Sequence, residues 1–445
     1  MDYIIPMSPT PDAPLHLGHM AGPYLSADIL ARTYRFLGKP CHFVSALDSF
    51  ENWCEHIPSS ALETTYRQHQ EAFTLLSIKF DDFLDPTQGG FHPAYTQTLR
   101  DTFLKFKGYA GYLEKEEQVE FDPKSNTWGF GVQVSGDCPN CGKPVRGNAC
   151  INCYFYLQPH ELINSVLAQN KEKNTLIKNA FMQIDQSCAA QLESIGVAPS
   201  AITLLNQWLD KTQGQIRLTY QGKYGIFTEE ESPRIIRNTF LQMCCALVGY
   251  LAPDTPQKNN LHLFMGFDNF IPCGAGSVAL AEKFSDQQIQ RIELNHMLHY
   301  EGTKFSKSKK HGPKVVNALQ GKSDTYKSAM RLFLMRQDLA YSNVNYKAEQ
   351  FQQFLEYYTG LLCDLFALQN VNPANSQNSK SAWHQKLEVL ITRPLNRATL
   401  INLFLQSIEQ YLSTPNAETL REFTDACQVF DPCLFRRFTM QPEAL

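Results

Sequence analysis

The first fifty residues alternate between two short apolar runs, a proline-rich turn and one helical segment. Residues 3–7 and 41–47 are apolar and have the length of buried strands. Between them, apolar residues recur at helical spacing up to Gly38. A strand, a helix and a strand in so short a stretch are typical of a parallel sheet with helices packed on it. The chain is therefore predicted to be α/β, with ligands bound at the carboxyl ends of the strands.

A strand signal returns only at residues 261–266, after a long section of different character. That section holds a helix near residue 100, a part rich in glycine and cysteine, and an amphipathic part at 159–212 that we predict to be helical. We interpret it as an insertion that splits one sheet domain. Helices are predicted again at 348–369, at 382–412 with an interruption near Pro394, and at 417–430. Residues 370–381 are predicted to be a polar linker.

Four of the 13 cysteines form one tight group, Cys138, Cys141, Cys150 and Cys153. Two Cys-x-x-Cys turns offer four thiolates, which is the ligand set of a tetrahedral structural zinc ion. The alternative is four unrelated core cysteines, but the polar, glycine-rich loop between the pairs favours zinc. The other cysteines are scattered, mostly among apolar neighbours, as reduced thiols are inside a cell. We expect a cytoplasmic location.

The net charge is −4, from 40 basic and 44 acidic residues. This excludes a globally basic nucleic-acid binder, although not a local basic patch. The longest nearly apolar stretch, residues 241–252, contains a glutamine and is shorter than the about 20 residues that a membrane helix needs. The N-terminus has an acid and an early proline where a secretory signal needs a base, so no signal peptide and no membrane association are expected.

Two further motifs carry candidate chemistry. His16, Gly18 and His19 lie where the first helix begins, and helix N-termini and imidazoles can donate to phosphate. Alone, this pattern fits two surface or capping histidines better than a binding site. A basic, hydroxyl-rich segment follows Gly302 and contains Lys304, Ser306, Lys307 and Ser308. Its lysines would neutralise charge on a transferring nucleotidyl group, although a solvated lysine run fits the segment equally well.

The two motifs occur together, in this order, on a split parallel sheet. The chain therefore resembles the class I aminoacyl-tRNA synthetases: residues 16–19 match their "HIGH" signature and residues 304–308 their "KMSKS" signature. The four-cysteine knuckle narrows the resemblance to the methionyl type. It implies a Rossmann-like catalytic domain in two halves (1–91 and 241–345), a connective insertion with the zinc knuckle (92–240) and an α-helical C-terminal domain (346–445).

The resemblance implies that an amino-acid carboxylate attacks the α-phosphate of ATP with Mg²⁺, and that the acyl group then passes to an acceptor. It implies that His16 and His19 act at the α-phosphate and that Lys304 and Lys307 hold pyrophosphate. Asp48 would bind the substrate ammonium group. The ATP-binding residues would be Gly18, Gly266, Asp268, Ser306 and Ser308.

The amino-acid pocket departs from the family pattern. Ser8 and Thr10 stand where the family has leucine and tyrosine, and residues 243–247 replace a Trp-Leu-Asp-Ala-Pro segment. Several aromatic walls are therefore missing, and we expect a substrate other than free methionine; a divergent methionine enzyme with a repacked pocket is the alternative. The predicted amino-acid-binding residues are Ser8, Thr10, Asp48, Met243, Leu247, Tyr250, Cys273 and Ser277.

The predicted C-terminal domain has about a hundred residues, 346–445, with eight basic and ten acidic side chains, so we expect a shortened domain that is a poor anticodon platform. The leading hypothesis is an ATP-dependent amino-acid ligase that charges a tRNA 3′ end, working as a monomer. The alternatives are a ligase with an amine, amino-acid or carrier-protein acceptor, and an inactive binding protein derived from a synthetase. A nucleotidyltransferase of the same fold is a third alternative. The insertion counts against it, because such an enzyme does not need one.

Overall fold

The computed structural model describes residues 1–167, 173–229, 232–237, 239–253, 258–281, 287–305, 311–368, 382–392 and 396–439. None of the helices found in these ranges is long and apolar enough to cross a bilayer. The strands are β1 Asp2–Pro6, β2 Cys41–Ala46, β3 Asp82–Leu84, β4 Tyr112–Asp122, β5 Thr127–Trp128, β6 Val134–Asp137, β7 Pro144–Arg146, β8 Ile163–Leu167, β9 Lys173–Gln183, β10 Gln215–Arg217, β11 Thr219–Gln221, β12 Ile226–Phe227, β13 Arg234–Ile236, β14 Asn259–Gly266, β15 Gln287–Asn295, β16 Leu298–Tyr300, β17 Thr303–Lys304 and β18 Val344–Tyr346. The α-helices are α1 Leu17–His19, α2 Leu25–Phe36, α3 Ser59–Leu75, α4 Phe91–Phe106, α5 Ser187–Ser194, α6 Pro199–Lys211, α7 Phe240–Leu251, α8 Gly276–Ala281, α9 Val315–Leu319, α10 Asp324–Arg336, α11 Ala348–Ala367, α12 Ala382–Thr392, α13 Arg397–Ser413, α14 Ala417–Phe430 and α15 Pro432–Thr439.

The central sheet is parallel, with strand order β15-β14-β1-β2-β3. β1 pairs with β2 and also with β14, which lies more than 250 residues away in the chain: Tyr3 aligns with both His42 and Leu261. The α/β fold with a parallel sheet is therefore confirmed. Because the strands are parallel, the residues that follow β1, β2 and β14 meet at one edge.

The helix predicted to run from residue 16 to Gly38 is broken. A π-helical segment, Met20–Tyr24, separates α1 from α2, and within it Gly22 has non-helical angles (φ −83°, ψ −114°). A Cβ on Gly22 would lie 2.6 Å from Nδ2 of Asn295, so a larger residue would have to displace this side chain at the end of β15. Pro23 follows and has no N–H to continue the helix.

The helical prediction for residues 159–212 was wrong in its first half. β8 and β9 lie there, and β9 pairs antiparallel with β4 from Tyr112 to Phe121. Ala180 and Phe181 of β9 are fully buried, so the apolar residues that suggested a helix face the core of a sheet. Helices α5 and α6 follow, as predicted.

The predicted C-terminal helices are present as α11, α12, α13 and α14, and α15 follows them. Pro394 and the linker at 370–381 lie outside the described residues. Buried residues of α10, α11, α13 and α14 share one apolar core with α2, the helix between β1 and β2. Ile29 of α2, Leu332 of α10 and Phe404 of α13 all have no exposed area in this core. The C-terminal helices therefore pack directly on the sheet domain.

A buried ion pair joins β4 and β10 of the antiparallel sheet β10-β9-β4-β5. Nη2 of Arg217 donates to Oε2 of Glu117 (2.7 Å) and to Oε1 of Gln158 (2.9 Å), and the amide of Asn179 donates to Glu117 (2.8 Å). Burial by itself would raise the pKa of Glu117, but the hydrogen bonds and charge of Arg217 lower that pKa to about 2. The ionised carboxylate is therefore the stable form in the fold.

We expect Glu117 to make the fold sensitive to acid. Its folded pKa lies below the value of an exposed glutamate, so its contribution is complete above about pH 5 and is lost as the pH falls toward about 2. A lowering of about two units corresponds to about 3 kcal/mol. Glu117→Gln should therefore flatten the dependence of the free energy of unfolding on pH, measured by urea titration. Glu116→Gln, an exposed neighbour on β4, should keep the wild-type slope; equal slopes for all three proteins would contradict this assignment.

Candidate active site

Two imidazoles lie at the start of the first helix. His16 is the N-cap residue of α1, and its backbone N–H donates to Nδ1 of His19 (3.1 Å). The two rings stack with centroids 3.7 Å apart, and both residues are half-buried. A Cβ on Gly18 would lie 3.1 Å from the His16 ring. Gly18, one of the predicted ATP-binding residues, thus makes room for this imidazole.

The basic segment begins beside the two imidazoles. β17 ends at Lys304, and the ring of the next residue, Phe305, stacks on His16 with centroids 4.7 Å apart. Gly312 lies just after the segment, and its φ is +84°. A Cβ on Gly312 would lie 2.2 Å from the ring of Phe305. Both flanks of the segment therefore lie close to the histidine pair. Three predicted site residues lie outside the described part of the chain: Ser306, Lys307 and Ser308.

Two carboxylates lie at the edge where the parallel strands end. Asp48 follows β2, and its N–H donates to the carbonyl of Pro9 (3.0 Å), which joins the proline-rich turn to this edge. Asp268 follows β14 and accepts a hydrogen bond from the Asn269 amide (3.3 Å). A Cβ on Gly266 would lie 2.5 Å from Oδ1 of Asp268. Glycine at the end of β14 therefore lets this carboxylate turn back over the strand.

Cys273 lies in the π-helical segment Phe270–Ala275, which follows Asp268. Burial raises the pKa of its thiol to about 12; the charge of Arg237 opposes this rise, and those of Asp48, Glu51 and Asp268 add to it. The charges of four residues therefore act on one thiol. Asp48, Asp268 and Cys273 were predicted from the sequence as site residues, whereas Arg237 and Glu51 were not.

Arg237 directly follows β13, and its backbone N–H donates to the carbonyl of Leu218 (2.9 Å). Its Nη1 donates to the hydroxyl of Tyr156 (2.6 Å), and the guanidinium lies 5.2 Å from the centre of that ring. Arg237 and Tyr156 are about 80 residues apart in the chain. No local sequence motif could therefore have predicted this contact. Arg237 thus adds a positive charge to those that act on Cys273.

The other predicted amino-acid-binding residues differ in exposure. Ser277 is 1% exposed, and within the described residues its hydroxyl has no hydrogen-bond partner. Tyr250 is 40% exposed, and its ring packs on Phe91 (centroids 5.1 Å) at the start of α4. Thr10 is half-buried. The remaining three are buried: Ser8, Met243 and Leu247.

The four predicted metal ligands come together. The Sγ atoms of Cys138, Cys141, Cys150 and Cys153 all lie within 4.8 Å of one another. Each Cys-x-x-Cys turn is closed by a backbone hydrogen bond back to its first cysteine, from Gly142 to Cys138 (2.8 Å) and from Tyr154 to Cys150 (2.7 Å). Four sulfur atoms converging on one point fit a tetrahedral ion and leave no open coordination position.

The cysteine knuckle, residues 138–154, docks on the edge that carries Asp268. The hydroxyl of Tyr154 donates to Oδ1 of Asn343 (3.1 Å) and lies 3.4 Å from Nδ1 of His296. The His296 ring in turn stacks on Phe267, with centroids 4.2 Å apart. Oδ1 of Asn343 also accepts from the backbone N–H of Met297 (2.9 Å). The knuckle is therefore fixed to the ends of β14 and β15, a contact that the motif alone did not predict.

The sequence of the chain matches a family model. Residues 6–359 match the model described as tRNA synthetases class I (M). Because the match covers most of the chain, the chain belongs to the class I tRNA synthetases. Within that class it is most like the methionyl type, as the relatives show.

The chain is 26% identical to the methionine–tRNA ligase of Borrelia hermsii over 323 residues, which are 66% of this chain and 43% of that ligase. It is 33% identical to the ligase of Thermoplasma volcanium over 167 residues, 36% of this chain and 30% of the relative. Its fold matches the crystal structure of Mycobacterium tuberculosis methionyl-tRNA synthetase bound by methionyl-adenylate, with a TM-score of 0.59 and 12% identity, covering 98% of this chain and 84% of the other. The chain spans less than half the length of these curated relatives.

Proposed function

We propose that this chain is an ATP-dependent ligase that activates an amino acid as its aminoacyl-adenylate and transfers it to the 3′ end of a tRNA. One observation carries the proposal: the stacked His16–His19 pair adjoins Phe305, the residue that leads into the basic segment. The family membership supports the same chemistry. A ligase of this kind has little covalent chemistry to do, so that positioning and charge stabilisation account for the rate.

In the proposed reaction, a carboxylate oxygen of the amino acid attacks the α-phosphorus of ATP. The bond to the β-phosphate breaks and pyrophosphate leaves with its electron pair. His16 and His19 donate to the α-phosphate oxygens, while Lys304 and Lys307 stabilise the departing pyrophosphate. When bound, Mg²⁺ would neutralise part of the phosphate charge. An acceptor hydroxyl then attacks the acyl carbon and AMP leaves.

The binding roles follow the edge of the sheet. Asp48 holds the substrate ammonium group, and Gly266 with Asp268 holds the ribose of ATP. Gly18, Ser306 and Ser308 complete the nucleotide site. The side-chain pocket is proposed to be lined by Ser8, Thr10, Met243, Leu247, Tyr250, Cys273 and Ser277. Buried hydroxyls and the nearby Arg237 make this lining more polar than a methionine side chain requires, which favours another amino acid.

We assign the four cysteines to a structural zinc ion and the chain to a monomeric, cytoplasmic enzyme with the four domains proposed from the sequence. The acceptor is tested by incubating the purified protein with total tRNA, ATP and a mixture of labelled amino acids. The proposal predicts label that is stable on tRNA at acid pH and released at alkaline pH. Adenylate formation without any label on tRNA would instead support a non-tRNA acceptor.

We expect Cys150→Ser to release the metal and to destabilise the insertion, because three thiolates cannot complete the tetrahedral site. Zinc content by atomic absorption and the midpoint of thermal unfolding measure the two effects. Transfer to the acceptor should fall more than adenylate formation does. Cys363→Ser, on an exposed face of α11, should change neither quantity. Loss of adenylate formation at unchanged zinc content and stability would show that the metal assignment is wrong.

A further inference from the structure

An arginine from the C-terminal helices reaches the backbone just after the signature histidines. Arg397 is the first residue of α13 and is 6% exposed. Its Nη1 donates to the carbonyl of Ala21 and lies 3.5 Å from that of Gly22. Its Nη2 donates to the carbonyl of Gln337 at the end of α10 (3.4 Å). One guanidinium therefore joins three segments that are far apart in the sequence.

Two of the carbonyls that Arg397 contacts, those of Ala21 and Gly22, belong to the break between α1 and α2. Gly22 has non-helical angles there and Pro23 has no N–H, so the regular helical hydrogen bonds are interrupted. The hydroxyl of Ser26 also donates to the carbonyl of Gly22 (2.9 Å). A buried carbonyl that loses its donor is destabilised, because it has lost water without gaining a partner. The guanidinium therefore stabilises this bent conformation against a straight helix.

The bend fixes the direction of the two imidazoles. His19 is the N-cap residue of the π-helical segment Met20–Tyr24, so the angles of this segment decide how α1 sits on α2. On the other side, Asn295 at the end of β15 fills the space beside Gly22. A cavity of about 20 Å³, lined by Pro23, Ser26, Asn295 and Arg397 among others, gives room for a single water molecule.

We propose that Arg397 is a positioning residue for amino-acid activation: it holds the bend at Ala21–Gly22 and thereby the orientation of His16 and His19. Adenylate formation then depends on the docking of α13 against the sheet domain. This inference rests on the proposed function. Arg397 does not touch the reacting groups, so its effect should be on the rate of the chemical step and not on amino-acid binding at Asp48.

The test is ATP–pyrophosphate exchange with Arg397→Lys and Arg397→Ala. Lysine keeps the charge but cannot span two carbonyl groups with a planar fork. A displacement of the imidazoles by about 1 Å is expected to lower kcat by up to about 10²-fold, while the KM for the amino acid changes by less than about twofold. Added guanidinium at millimolar concentration should restore part of the kcat of Arg397→Ala, because it can occupy the vacated space.

Tyr358→Phe is the matched control. It removes a buried hydroxyl that donates to Asp431 in the same helical region, so it should lower the unfolding midpoint and leave kcat unchanged. A wild-type kcat in Arg397→Lys would overturn the inference, as would losses of kcat in Arg397→Ala and Tyr358→Phe that both follow the loss of stability. If the wild type catalyses exchange and one of these two results is found, only the role of Arg397 is refuted. No exchange by the wild type refutes the proposed function and this inference with it.

Discussion

His19→Ala is expected to lower kcat for ATP–pyrophosphate exchange by about 10²–10³-fold, the loss that follows removal of one group stabilising transition-state charge. In the structure, the His19 ring stacks on that of His16 at the start of α1. Its Nδ1 also accepts the N–H of His16, so the variant loses one capping hydrogen bond, worth about 1 kcal/mol. Most of the effect should therefore appear in the rate and little in the stability.

Steady-state exchange and thermal unfolding, measured on the same preparations, separate these two effects. The control is His384→Ala, a half-buried histidine of α12 whose nearest ionic partner is Glu388 on the same helix (4.0 Å). It should keep wild-type kcat. If the two variants show equal rates, His19 has no part in the reaction and the assignment of the signature histidines fails.

The largest expected loss of stability comes from Arg331→Met, which should lower the free energy of unfolding by about 3 kcal/mol or more. Arg331 is 1% exposed on α10 and pairs with the carboxylate of Asp28 in α2, which has no exposed area. It also donates to the carbonyls of Leu76 (2.8 Å) and Phe430 (2.9 Å). Without it, Asp28 would keep only Arg32 as its cation, and two buried carbonyls would lose a donor.

Arg35→Met provides the comparison, because Arg35 on the same helix α2 pairs with Asp81 at the surface (2.7 Å), with both side chains more than one third exposed. Exposed pairs contribute at most about 1 kcal/mol. Urea unfolding at neutral pH measures both variants. A loss in Arg331→Met no larger than in Arg35→Met would contradict a structural role for the buried pair.

The sequence predicted those strands and helices whose own residues carry a clear apolar pattern. β1 and β2 are short apolar runs bounded by turns, and α14 was predicted with the bounds that the structure shows. β9 was predicted as a helix because it lies in the amphipathic section at 159–212. Its strand conformation depends on pairing with β4, some sixty residues earlier in the chain, and no local pattern contains that information.

The candidate site divides in the same way. His16 and His19 lie in a motif, and Asp48 and Asp268 were predicted from the family resemblance. The structure has both carboxylates just after parallel strands, β2 and β14. Arg397 was not found, because 375 residues separate it from Gly22. Arg237 and Tyr154 were missed for the same reason: each acts through a partner from another segment. Tertiary packing, and not residue type, makes these residues part of the site.

ATP–pyrophosphate exchange with a panel of amino acids tests the central claim most directly. The panel contains methionine, the other proteinogenic amino acids and non-proteinogenic ones with polar side chains. We expect exchange that requires Mg²⁺, is supported by at least one amino acid of the panel, and is lost in His19→Ala. ATP binding without exchange for any amino acid would contradict it and would identify the chain as a synthetase-derived binding protein.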